Sequence, residues 1–303
     1  MKDILTIIFR LTVSCLLAGI VMGATFVFTN KAKLHNAEVN EQKVMLGLLG
    51  YSAGKSAPAS LKLHPVYRYL VNSGAASSIG YLVPTSGASE AGYAFVNIDL
   101  DGKFLGQQPV RLEATKASEA NERDKAVTSA LGSGKECRYV DQTIVVSDNG
   151  ARKAYLLPGE FPGFKTFVKV ILAVDPTFTV SGLEIMENEE DPGLGGEIVQ
   201  QYFKNQFRGK TYEALKKLGV VKEPLPEEYR RVLENDKNGG SIGAEEVAKV
   251  EATYADKNIY ALTGATISSR AVTNGVKGIV NKFAYRVGIL DRVLKEQQIV
   301  VPF

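Results

Sequence analysis

The sequence predicts an α+β protein, with a single N-terminal transmembrane helix followed by a domain built on an antiparallel sheet. Three observations carry that expectation. An apolar run stands near the N-terminus, where Arg10 is the only charge from Ile4 to Phe28. Over residues 143–186, short β-branched and apolar runs alternate with turn residues. Finally, Thr263-Gly264-Ala265-Thr266 is followed by Val272, Val276, Ile279, Val280 and Phe283, a spacing of threes and fours that marks one face of a helix.

Composition narrows the function before any motif is read. With 303 residues and 45% hydrophobic content the chain is long enough to bury a core. Its 36 basic and 33 acidic residues leave a net charge of +3 without a basic run, which argues against nucleic acid as a partner. Cys15 lies in the apolar run and Cys137 far from it, so no intrachain disulfide is expected. His35 and His64 are the only histidines and no C-x-x-C occurs, so no metal site and no c-type haem are expected. If the chain moves electrons, an organic cofactor must carry them.

The uncharged stretch Leu11 to Phe28 spans about 27 Å as a helix, just enough to cross a bilayer. An uncleaved anchor over 1–29 is expected rather than a signal peptide, because the run exceeds an h-region of about 7 to 15 residues. Lys2 and Arg10 on one side and Lys31 and Lys33 on the other leave its orientation open. Residues 31–49 read as a helix leaving the membrane, with Leu34, Val44 and Leu48 as buried positions. Gly50 to Ser60 has linker composition.

His64-Pro65 disfavours helix, and His64 reads as a surface or loop residue. Tyr93 to Leu100, the Asp101-Gly102 turn and Lys103 to Leu105 read as a strand pair. Ser86 to Ser89 reads as a loop, Ala114 to Lys125 as a solvated helix, and Gly132-Ser133-Gly134 as a break. Thr143 to Val146, a turn at Asp148-Asn149-Gly150, and Lys153 to Leu157 make a second pair. A Gly/Pro-rich bend at Pro158 to Phe164 precedes strands Phe167 to Val174 and Thr179 to Met186, giving an antiparallel meander.

Glu187 to Gly196 forms a Gly-rich loop, and Glu197 to Phe207 reads as a helix with Ile198, Tyr202, Phe203 and Phe207 on one face. Pro224 to Asp256 reads as two exposed helices around Gly239-Gly240. In the last helix Ser268 and Ser269 stand where an N-cap belongs. The Thr266 hydroxyl is then expected just ahead of a helix N-terminus, a position that favours a phosphate. After Arg286 the tail Ile289 to Phe303 is short and amphipathic.

Thr263-Gly264-Ala265-Thr266-Ile267-Ser268-Ser269-Arg270 resembles the [ST]-G-A-T flavinylation motif of the FMN-binding domain family. Glu190, Pro192, Gly193, Leu194 and Gly195 match that family's H-x-E-T-P-G-L-G loop, with Asn188 in place of His and Asp191 in place of Thr. The resemblance implies FMN joined by a phosphoester to Thr266. It implies further that Thr263, Gly264, Ala265 and Ser268 surround the ester and that Glu190, Pro192, Gly193, Leu194 and Gly195 face the flavin. No residue is assigned a catalytic or metal-binding role.

Residues 143–303 would be the FMN-binding domain and 30–142 a juxtamembrane helix plus an insert atypical of the family. The resemblance also implies a subunit of an Rnf-type ferredoxin:NAD complex in the inner membrane, with its flavin domain on the extracytoplasmic side. Its partners would be the other subunits and a flavin-attaching transferase. Two alternatives stay open: the corresponding subunit of a sodium-pumping NADH:quinone reductase, and an anchored scaffold that is never flavinylated. The second draws on Tyr260, which stands where the family commonly has Asp.

Overall fold

The computed structural model describes residues 2–52, 54–74, 76–86, 92–132, 134–235 and 242–303. It divides into two compact units, Met1–Gly47 and Leu48–Phe303. Helix α1 (Lys2–Leu48) runs unbroken, so the helix expected for 31–49 continues the apolar one. Its segment Ile4–Asn30 has a mean hydropathy of 2.3 and buries none of its surface in the protein, as a lipid-facing helix would. The burial of Leu34, one of the expected buried positions, is not described, and Gly87 to Ser89 and Gly239-Gly240 lie outside the described residues.

Among the described residues of the second unit, eight strands form one antiparallel sheet in the order β4-β3-β2-β1-β5-β6-β7-β8. They are β1 (Leu61–Ser73), β2 (Ala76–Pro84), β3 (Gly92–Ile98), β4 (Phe104–Arg111), β5 (Glu136–Asp148), β6 (Ala151–Pro162), β7 (Phe167–Val174) and β8 (Val180–Glu187). Two meanders therefore run outward from the central β1–β5 pair. The β5–β6 turn has Asn149 at φ 51° and Gly150 at φ 79°, the left-handed pair that a tight hairpin requires and these two residues supply. Residue 142 falls inside β5, and strands from both sides of it share the sheet.

Several expectations need correcting. Pro158-Gly159-Glu160 is not a bend but the middle of β6, paired to Ile171, Val170 and Lys169; the turn comes at Gly163 to Thr166. His64 is not at the surface: it lies in β1, 9% exposed, with Nε2 2.8 Å from Ser147 Oγ. The Ala114–Lys125 helix is two pieces, α2 (Ala114–Ala117) and α3 (Ala120–Leu131), and it buries Ala117, Arg123, Val127 and Leu131. Residues 197–207 form no continuous helix: a 3-10 turn (Gly195–Val199), α4 (Gln201–Lys204) and a second 3-10 turn (Asn205–Phe207) follow one another. Ile198, Phe203 and Phe207 are nevertheless buried as the pattern required.

Strand alternation sorts the core into two faces. Val66, Tyr81, Val83, Ala94 and Val96 point to the face covered by the last helix, while Tyr67, Tyr69, Leu82, Tyr93 and Phe95 point to the face covered by α2 and α3. Further along come α5 (Tyr212–Lys217), a parallel pair of β9 (Val220–Val221) with β10 (Ile259–Tyr260), α6 (Glu227–Leu233) and α7 (Ala244–Tyr254). Neither α6 nor α7 is fully exposed, since Tyr229, Leu233 and Tyr254 form a buried cluster with stacked Tyr229 and Tyr254 rings 4.1 Å apart.

Helix α8 (Thr266–Glu296) absorbs most of the expected separate tail. It buries Val272, Val276, Val280, Phe283, Val287 and Leu290 against the sheet, and a fully buried Val contributes about 1.5 to 3 kcal/mol. It also lies close to β6. A Cβ on Gly159 would come 2.7 Å from Ile279 Cδ1, and one on Gly275 would meet the Phe161 ring. These two glycines set how near the helix approaches, and so where its first turn stands.

Candidate functional site

Three chain segments converge at the N-terminus of α8. The first arrives through β10, held to β9 by the Ala261 N–H donating to Val221 O at 2.9 Å. The buried Gln206 side chain grips Tyr260 like a further strand: Oε1 accepts from Tyr260 N at 2.8 Å and Nε2 donates to Tyr260 O at 3.3 Å. A turn then closes with Ala265 N donating to Leu262 O at 3.0 Å, and Gly264 takes φ 76°, which glycine adopts without penalty.

Ser268 and Ser269 are not the N-cap. The helix begins at Thr266 and its cap position is Ala265, which offers no side-chain acceptor. Ser269 instead ties the turn together: Oγ accepts from Leu262 N at 3.0 Å and donates to Ala265 O at 3.0 Å. The first N–H groups of this 31-residue helix are thus left without a side-chain partner, at its positive end. Thr266 is half-buried at the first helical position, Thr263 and Gly264 are exposed, and Ala265 is buried.

The second segment is the loop after β8. Asn188 Oδ1 accepts from Glu190 N at 3.2 Å, and Asp191 O accepts from Leu194 N at 3.1 Å and Gly196 N at 2.8 Å. Gly193 takes φ 75° with open space around it, and Pro192 and Leu194 are exposed. The third segment is the turn between β6 and β7, where Gly163 N donates to Thr166 O at 2.6 Å.

Glu190 joins all three. Its side chain is 6% exposed; Oε1 accepts from Phe164 N at 2.7 Å and Lys165 N at 3.3 Å, and Oε2 accepts from the Ser268 hydroxyl. Ser268 is itself 4% exposed. Beside this contact, a Cβ on Gly195 would come 2.5 Å from Ser268 Oγ and 2.6 Å from Glu190 Oε2; a Cβ on Gly264 would come 3.0 Å from Leu194 Cδ2. Asp191 pairs with the Lys165 ammonium, a hydrogen bond that raises the Lys165 pKa. Burial raises the pKa of Tyr260, followed by the charge of Glu223.

The fold thus brings Thr263, Gly264, Ala265, Thr266 and Ser268 together with Glu190, Leu194 and Gly195, residues that lie some 70 positions apart in sequence. The structure adds two residues that sequence reasoning passed over, Phe164 and Ile267. With the expected Leu194 they are 57%, 59% and 47% exposed, one from each converging segment, and they give the site an apolar rim beside its N–H groups. Phe164 was legible only as the end of a bend and Ile267 only as a helix position. Gln206 gave no signal, because its partner is 54 residues away.

Among the described residues no group of three or more His, Cys, Asp or Glu side chains stands close enough to hold a metal ion. A cavity of about 40 Å³ lies elsewhere, between α8 and the sheet beside Arg68, Asp141 and Arg286, with room for water and not for a flavin.

Comparison with known proteins is consistent with this geometry. Residues 163–281, which include all three converging segments, match the FMN-binding domain family. The chain is 33% identical over 129 residues to the G subunit of the proton-translocating ferredoxin:NAD(+) oxidoreductase complex of Clostridium ljungdahlii, covering 43% of this chain and 52% of that protein. It is 31% identical over 142 residues to the C subunit of the Na(+)-translocating NADH-quinone reductase of Yersinia pestis, covering 43% and 53%. The matches therefore span about half the length of each relative. The crystal structure of NqrC from Shewanella oneidensis aligns over 72% of this chain and 77% of that one, at 17% identity and a TM-score of 0.38.

Proposed function

We propose that this chain is a membrane-anchored flavoprotein subunit of an ion-translocating electron-transport complex, with FMN joined through its phosphate to Thr266. The observation that carries the reading is the placement of Thr266. It is the first residue of a long helix with no side-chain cap, its hydroxyl has no hydrogen-bond partner among the described residues, and apolar side chains stand exposed around it. The residues present fit the group: the phosphate takes the N–H groups and positive end of α8, with Arg270 exposed one turn along, and the apolar ring takes Phe164, Leu194 and Ile267. The flavin, when bound, supplies electron transfer. The protein's own part is to hold it, keep water from one side and present it to neighbouring subunits.

Attachment is a substitution at phosphorus with no change of oxidation state. The Thr266 Oγ–P bond forms, the anhydride P–O bond of an activated flavin phosphate breaks, the leaving group departs with its oxygen, and the hydroxyl proton goes to solvent. A flavin-attaching transferase is the partner this chemistry requires. Residues 143–303 hold the flavin in this reading, with 30–142 as the juxtamembrane end of α1 and an insert that enlarges the same sheet, and the domain stands on the extracytoplasmic side of the inner membrane.

The Rnf-type ferredoxin:NAD complex is the assignment preferred here, on the Thr-Gly-Ala-Thr-Ile-Ser-Ser-Arg form of the motif. Identities of 33% and 31% to subunits of the two kinds of complex keep the sodium-pumping quinone reductase as the second reading. The test is coexpression with a flavin-attaching transferase, followed by peptide mass mapping. The peptide containing Thr266 is expected to gain the mass of FMN less water, and Thr266→Ala to abolish the gain. An unmodified wild-type peptide would support the scaffold reading instead.

A further inference from the structure

Residues 263–269 carry four hydroxyls, on Thr263, Thr266, Ser268 and Ser269, and three of them sit on the first turn of α8. All are oxygen nucleophiles of similar strength, so the choice among them must come from their surroundings. Ser269 is fully buried and spends its hydroxyl on both Leu262 and Ala265. Thr263 precedes Gly264, outside the helix. Ser268 stands two residues beyond Thr266, buried against the loop after β8 with its hydroxyl donated to Glu190.

The slot that holds the Glu190 carboxylate is specifically built. Gly195 lacks the Cβ that would come 2.6 Å from Oε2, Gly163 lacks one that would meet Oε1, and Phe164 N and Lys165 N are aimed at Oε1. A buried carboxylate is costly unless such donors meet it, and simple packing is served as well by an apolar side chain. The arrangement instead fastens the turn 163–166, the loop 190–196 and the first turn of α8 to one another at the point where the ester forms.

We propose that Glu190 is a positioning residue that determines which hydroxyl receives the flavin, by withdrawing Ser268 and fixing the first turn of α8 so that Thr266 is presented. Resemblance alone implies that Glu190 faces the flavin; in the fold it is enclosed by protein and acts through Ser268. The inference rests on the reading of Thr266 as acceptor, with the same bonds made and broken whichever hydroxyl reacts.

The test is adduct mapping on the full chain coexpressed with the transferase, with folding followed by circular dichroism. Wild type carries the adduct on Thr266 only, and Thr266→Ala carries none. In the double variant Thr266→Ala with Glu190→Ala, Ser268 becomes labelled. Thr266→Ala with Glu190→Gln, which keeps an oxygen to accept from Ser268, leaves Ser268 mostly unlabelled. A folded Glu190→Ala double variant without label on Ser268, or equal labelling of Ser268 in Thr266→Ala alone, overturns the proposal.

Should Glu190→Ala not fold, Gly195→Ala crowds both Ser268 Oγ and Glu190 Oε2 and so breaks the same contact, and the same two outcomes decide. A readout free of flavin separates this inference from the one beneath it. In a chain with Cys15 and Cys137 replaced by Ala, Ser268→Cys is alkylated by iodoacetamide about tenfold faster when Glu190→Ala is added, the worth of a hydrogen bond to a charged group. Equal alkylation rates defeat the clamp even if Thr266 is flavinylated; an unlabelled Thr266 with the rate difference intact defeats only the flavin reading.

Discussion

The Lys210 ammonium is 2% exposed and donates to the carbonyls of Tyr254, Ala255 and Lys257 at 2.8, 2.7 and 2.7 Å. The first two carbonyls end α7, where a positive charge is favourable, and the third follows just beyond it. Lys210→Met removes all three of these hydrogen bonds to a charged donor, so unfolding in urea is expected to show a loss of about 1.5 to 3 kcal/mol. His64 offers a pH test. Burial first, then the charge of Lys62, lowers its pKa below the ordinary 6.5. Below that value the unfolded chain takes up a proton that the folded chain refuses, so stability falls as pH drops from 6.5 through the folded pKa. His64→Gln is expected to flatten that part of a melting-temperature profile. Gly193 differs from Gly195 in what it needs: its φ of 75° has open space around it, so Gly193→Ala costs only backbone strain, about 1 kcal/mol. The Thr263 to Arg270 element, where the flavin is proposed to attach, stood out because its residues are contiguous. Glu190 was legible by position but not by role, because its partner Ser268 lies 78 residues away.

Periodicity located most of the elements, and failed where one element borrows stability from another. Strand β7 was legible to the residue, since turn residues bound it on both sides. Strand β1 was not, because His64-Pro65 disfavours helix without marking a strand, and His64 reads as a surface or loop residue. The structure accommodates Pro65 beyond the stretch of β1 that pairs with β2, where its missing N–H has one neighbouring strand to answer to and not two. The second half of strand β6 hid behind Pro158 and Gly159, and Gly159 is there because Ile279 needs the space. Gly159→Val is therefore expected to push α8 from the sheet and cost about 1 to 3 kcal/mol. Hydrogen exchange should then quicken at residues 266–270, since the first turn of α8 is placed by that packing. Unchanged exchange there would mean that the Glu190 contact alone holds the turn.

The second unit, Leu48–Phe303, has its own core on both faces of the sheet. A chain beginning at Leu48 is expected to be soluble and to unfold cooperatively, whereas the full chain requires detergent. Recovery of the shortened chain only as aggregate would show that the fold depends on residues 1–47. For the full chain, the proposed sidedness predicts that protease added outside intact inner membranes digests the unit and leaves the N-terminal segment protected. Digestion from the cytoplasmic face would reverse the orientation.

Local information alone determined the apolar helix, the meander of β5 to β8, the tight turn at Asn149-Gly150 and the Thr-Gly-Ala-Thr element, since each follows from residues within a few positions of one another. The tertiary structure decided that residues 61–111 extend the same sheet, that α8 starts at Thr266 without a side-chain cap, and that Ser268 is spent on Glu190. Those outcomes depend on strand pairing and on a carboxylate slot between two glycines, contacts between residues as distant in sequence as Leu61 and Asp148 or Glu190 and Ser268, whose energies no local pattern encodes. Which hydroxyl stands free at the helix end is therefore a property of the folded chain, though the hydroxyls themselves were plain in the sequence.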